Sequence, residues 1–117
     1  MESISRGAGL GALCMAALAA LPAMADSCTG NVVDVRPILH YDHDRGEGYL
    51  AVRSGPGAVY AQAGELYRGD QVAVTARDGN WFAVQCIAGQ CLEPLWGNPA
   101  PQGWVYGRYL RLAGNCP

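Results

Sequence analysis

Beyond residue 26 the apolar residues fall in short runs, mostly on alternate positions, and glycine or proline interrupts each run before a helical repeat is established. No stripe at i, i+3, i+4 is long enough for a helix, so the pattern predicts an all-β fold. Val33, Val35 and Pro37 alternate with Val32, Asp34 and Arg36, which predicts an extended strand over residues 31–39 whose proline suits a sheet edge. Tyr49 to Arg53 is the next predicted strand, and Ser54-Gly55-Pro56-Gly57 turns out of it into a loop carrying Val59, Tyr60 and Leu66. Gly69-Asp70 marks a turn, after which Gln71 to Ala76 places Val72 and Val74 on one face. Asp78-Gly79-Asn80 is a hairpin signal that feeds a strand from Trp81 to Gln85. Residues 87–102 break the pattern: with Cys91, Pro94, Trp96, Pro99 and Pro101 they cannot form a central strand and are expected to fold back over the sheet as a loop. Trp104 to Tyr106 resumes as a strand, and Gly107 to Leu110 makes a short helical turn into the last one.

The beginning of the chain has a different character. Arg6 precedes an apolar run from Leu10 to Leu21, followed by Ala23-Met24-Ala25, which reads as a secretory signal peptide cleaved between Ala25 and Asp26. The run is too short and alanine-rich for a membrane span. The expected mature protein is therefore periplasmic or secreted, with no membrane attachment after cleavage. It has 117 − 25 = 92 residues, enough for one small domain. With a formal net charge of −2 and no lysine, it has no basic stripe, so nucleic acid is not an expected partner.

Cysteine usage points the same way. Cys28, Cys86, Cys91 and Cys116 make an even set in a small exported domain, a disulfide framework with three possible pairings. The four-residue loop between Cys86 and Cys91 can close a tight turn between strands and favours that pair. The same spacing lacks the short interval of a zinc knuckle. A second candidate for metal is His40-Tyr41-Asp42-His43-Asp44, but on a strand His43 faces away from His40 and Asp42, and a solvated, flexible loop is the better reading. No nucleophile elbow, HExxH or cysteine-histidine pair is present, so neither catalysis nor a cofactor is expected.

Leu50-x-Val52-Arg53-x-Gly55-Pro56-x6-Ala63, then Gly69-Asp70, then Trp81 with Val84, then Gly103-Trp104-Val105 with Tyr109-Leu110, follow one another in the order found in the bacterial SH3-like (SH3b) domain family, which the chain resembles. The resemblance implies a small SH3-like β-barrel with a disulfide-anchored insertion before the last strands. It divides the chain into a signal peptide (1–25), an extension with an edge strand (26–48), an SH3b domain (49–112, insertion 87–102) and a tail (113–117). The ends of such barrels lie close together, which implies a Cys28–Cys116 bridge.

The resemblance further implies a binding domain commonly linked to the cell wall, often found beside peptidoglycan-cleaving enzymes or secreted alone. Peptidoglycan or an extended peptide is the expected partner, held in a shallow groove of aromatic rings, which give contact area at low entropic cost. Tyr106 and Tyr109, flanking Gly107-Arg108, are the foremost groove candidates, with Tyr60 and Tyr67 also available. Trp81 and Trp104 take structural, core or half-core positions. Trp96 is either a plug pinning the insertion or a platform for ligand. Arg53 either bonds turn carbonyls, pairs with Asp70, or captures a peptide carboxylate. The alternative partner is another exported protein, for which the chain would be an accessory or inhibitory factor contacting through the insertion.

Overall fold

A computed structural model describes residues 27–117. The expected signal peptide and its Ala25/Asp26 junction lie outside the described residues. Seven antiparallel strands follow: β1 (Cys28–Val32), β2 (Leu50–Arg53), β3 (Gln62–Leu66), β4 (Gln71–Asp78), β5 (Trp81–Ala88), β6 (Gln102–Tyr106) and β7 (Leu110–Gly114). They lie in the order β3-β2-β6-β5-β4-β1-β7. Each strand contributes to one buried cluster, from Cys28 and Val32 on β1 to Leu110 on β7. A flat sheet of this many strands spans about 29 Å and cannot bring its two edges into one cluster. The sheet therefore curls into the small barrel that the resemblance implies. Among the described residues no helix is long and apolar enough to cross a membrane.

The period-2 pattern works where one face meets the core: Val72 and Val74 on β4, and Phe82, Val84 and Cys86 on β5, are all buried. Asp78 pairs with Trp81 across a two-residue turn whose first member, Gly79, has φ +62°, the conformation that favours glycine at the head of a hairpin. Both strands of this hairpin outrun the prediction: β4 runs past a bulge between Val74 and Ala76 to Asp78, and β5 runs to Ala88, opposite Gln71 across a second register shift.

Three expectations need correction. The first strand is Cys28–Val32 rather than 31–39, and it lies between β4 and β7 rather than at an edge. It ends where Val33 N–H turns to the carbonyl of Tyr109 and Asp34 takes φ +62°. Residues 62–66, read as loop, form β3 on the edge beside β2, with Leu66 buried. Gly64, Glu65 and Leu66 are buried in succession, because the barrel covers one face of β3 and neighbouring loops cover the other, so no alternation survives. The insertion is also shorter than expected, since β5 continues to Ala88 and the irregular stretch runs only over residues 89–101.

That stretch is tied down at several points. Disulfides join Cys86 to Cys91 and Cys28 to Cys116, the latter clipping the barrel's two ends together. The buried Asp70 carboxylate accepts the backbone N–H groups of Tyr67 and Gln90, both at 2.7 Å. Burial raises the Asp70 pKa, and those bonds offset only part of the rise. Gln85 Nε2 donates to the Ala100 carbonyl at 2.9 Å. Pro101 sits so close to Gly64 that a Cβ there would come within 2.5 Å of the proline ring.

Candidate binding groove

Strand alternation builds the site. With Leu50 and Val52 turned to the core, Tyr49, Ala51 and Arg53 face outward along β2. Across β5 and β6, Trp81 stands opposite Tyr106, their ring centroids 5.5 Å apart. The single helical turn at Gly107–Tyr109 then swings Tyr109 to within 6.2 Å of Tyr106. Together these rings and the outward face of β2 line an open groove of about 350 Å³, closed on the far side by residues 34–36 and 46–48. Both ring pairs are tilted, at centroid separations within the range over which aromatic pairs attract.

The groove carries charges of both signs, Arg36 and Arg53 against Asp34 and Glu47. Arg36 and Glu47 form a 3.5 Å ion pair between well-exposed side chains, a contact of at most about 1 kcal/mol that an arriving ligand can replace. Arg53 uses Nη1 to bond the Tyr60 carbonyl at 3.0 Å, so the turn-bonding role holds for it. Pairing with Asp70 does not, because Asp70 is buried against backbone N–H groups instead.

Of the residues singled out from sequence, Tyr106, Tyr109 and Arg53 are brought together here, and Trp81 joins them half-exposed. Tyr60 lies outside the groove lining, with its ring packed over Gly55, where a Cβ would meet that ring at 2.5 Å. Tyr67 is buried, with 1% of its surface exposed. Trp96 also lies outside the lining and stacks on His43, centroids 4.3 Å apart and planes 16° from parallel.

His43 corrects the expectation of a solvated loop for the middle of residues 40–44, while His40 and Asp44 at its ends are exposed. The other face of His43 stacks on Tyr49 at 5.6 Å, and Asp42 and Glu47 close the segment with a β-bridge. Its Nδ1 lies 2.5 Å from a carboxylate oxygen of Glu65, which is fully buried on β3. The same carboxylate accepts the Tyr67 hydroxyl at 2.6 Å and the Tyr41 hydroxyl at 2.9 Å. Tyr67 Oη in turn accepts the backbone N–H of Leu95 at 2.8 Å. Burial first, then the bond to Glu65 and its charge, push the Tyr41 and Tyr67 phenols above their ordinary range. Tyr49, a wall of the groove, is thus backed by a stack anchored on a buried acid. Among the described residues no group of three or more His, Cys, Asp or Glu side chains is arranged as a metal site.

Sequence reasoning missed Tyr49, although its period-2 relation to Ala51 and Arg53 could have found it. Glu65 gave no such signal, since a lone glutamate beside glycine in a short segment reads as surface.

A family model described as bacterial SH3 domain matches residues 48–111. A search of curated proteins found no match.

Proposed function

The chain belongs to the bacterial SH3 domain family, and from that premise we propose that it is an exported, non-catalytic module that binds the peptide part of cell-wall peptidoglycan, or a similar extended peptide, in the Trp81–Tyr106–Tyr109 groove. The family is one of binding domains, generally non-catalytic and often connected with the cell wall. The observation that carries the reading is the groove itself: three rings in a row, flanked by guanidinium and carboxylate groups at one open face. Rings give a peptide backbone and its small side chains contact area, while Arg53 offers its remaining N–H donors to a carboxylate and Glu47 an acceptor to an amine. Export is supported by the signal-like beginning of the sequence and by two disulfides, which persist in oxidising compartments.

Titration of the oxidised protein with a synthetic stem pentapeptide, followed by NMR, tests this. Resonances of Trp81, Tyr106 and Tyr109 should shift together, and amidating the peptide's terminal carboxylate should weaken the response. Shifts that avoid these residues contradict the reading.

A second reading draws on a different observation. Leu92 and Leu95 on the insertion are 45% and 51% exposed, apolar surface suited to another exported protein. Under that reading a pull-down returns one protein, and Leu92→Ser with Leu95→Ser abolishes its capture while the stem peptide leaves it intact.

A further inference from the structure

The outward face of β5 and β6 does not end at the aromatic groove. Two residues along each strand from Trp81 and Tyr106 stand Ala83 and Trp104, directly paired, and two residues further Gln85 and Gln102, also paired. With Thr75 and Ser54 also in its lining, this stretch forms a second depression of about 590 Å³. Its character differs from that of the groove. None of its lining residues is charged, whereas the groove holds two arginines and two carboxylates. Trp104 lies half-exposed between its two strand partners, Ala83 on β5 and Arg53 on β2.

We propose that this face is a saccharide subsite, with Trp104 as the stacking platform for a neutral sugar ring and Gln102 and Gln85 as the partners of its hydroxyl or acetamido groups. A pyranose ring presents C–H bonds on one face and hydroxyls at its rim. It therefore asks for an aromatic face surrounded by uncharged groups that both donate and accept. Gln102 is exposed, and neither its amide nor the Trp104 indole N–H takes part in a hydrogen bond among the described residues. Gln85 is held in place by the bond from its Nε2 to the Ala100 carbonyl, which leaves its side-chain oxygen as an acceptor. Although Arg53 is the strand partner of Trp104, it bonds the Tyr60 carbonyl and belongs to the groove lining, and no charged residue lines the depression itself, which favours a neutral ligand over the zwitterionic peptide suited to the neighbouring groove; the subsite stands whatever fills that groove.

The test is calorimetry of the oxidised mature protein with a β-1,4-linked N-acetylglucosamine tetrasaccharide and, in separate runs, with the stem pentapeptide. Loss of the Trp104 platform in Trp104→Ala should weaken tetrasaccharide binding about tenfold. Gln102→Ala, a surface change that leaves the barrel intact, should weaken it about fivefold. Tyr106→Ala with Tyr109→Ala should leave tetrasaccharide binding unchanged while reducing that of the peptide, so the two sites fail separately. No tetrasaccharide binding by the parent protein, or binding that neither Trp104→Ala nor Gln102→Ala alters, overturns the proposal.

Discussion

Replacing Glu65 with leucine should uncouple the loops that back the groove from the barrel. Glu65 is fully buried and serves as acceptor for Tyr67, Tyr41 and His43. The Tyr67 hydroxyl is buried as well, so losing its acceptor costs about 1 to 3 kcal/mol. Tyr41 and His43 are partly exposed and can turn to water, so each loses about 0.5 to 1 kcal/mol. Relief from burying a carboxylate offsets part of this. The net destabilisation is about 2 to 4 kcal/mol, which in a domain of this size lowers the thermal midpoint by about 10 to 25 °C. Tyr67→Phe alone should cost about 1 to 2 kcal/mol, mostly through Glu65 and the Leu95 N–H. Because Glu65→Leu with Tyr67→Phe leaves no orphaned hydroxyl, the double variant should be more stable than the sum of the singles predicts, by about 1 to 2 kcal/mol. Urea unfolding and circular dichroism under oxidising conditions supply all three values. Strict additivity, or a Glu65→Leu variant within about 0.5 kcal/mol of the parent, would refute the network as a stabilising element.

Other outcomes follow from the same structure. Tyr41 and Tyr67 hold their protons in the folded barrel past the phenol value of 10.0, so the unfolded chain ionises first. Stability is then complete below about pH 10 and falls as pH rises beyond it, by up to about 1.4 kcal/mol per pH unit for each tyrosine. Urea midpoints across the alkaline range should show this decline, and less steeply in Tyr67→Phe; a flat profile contradicts it. Cys28→Ala with Cys116→Ala opens the long loop and should cost about 4 to 5 kcal/mol, against about 2 for Cys86→Ala with Cys91→Ala, a ranking that urea unfolding reads directly. Gly48→Ala places a methyl group at φ +82° and 2.7 Å from Tyr41 Cα, so it should destabilise the 41–49 segment and raise its protease sensitivity, while Gly46→Ala, with open space around it, should show only the strain of its φ.

The sequence made legible what one covered face produces. β4, β5 and the Gly79 turn follow from alternation and turn chemistry, and the same alternation buries Leu50 and Val52 on β2 and Val105 on β6. β3 was illegible because Gly64, Glu65 and Leu66 are covered on both sides, and alternation carries no information there. The first strand was displaced because Cys28, Thr29 and Gly30 give a weak β pattern, while Val33 and Val35 continue the alternation past the point where Asp34 breaks the strand. Tyr109 and Arg53 could be proposed from their places in the family pattern, and Tyr106 from its place across Gly107-Arg108 from Tyr109. The stack of Trp96 and His43 could not, since it depends on the insertion and the 41–49 segment meeting at a buried glutamate that neither segment contains.

The measurement that bears most directly on the groove is cosedimentation of the oxidised mature protein with purified peptidoglycan sacculi, beside a Tyr106→Ala, Tyr109→Ala variant shown by circular dichroism to be folded. Saturable binding by the parent, weakened about tenfold or more in the variant, is the expected result. A parent protein that stays in the supernatant, or a variant that sediments as well as the parent, contradicts the groove as the wall-binding site.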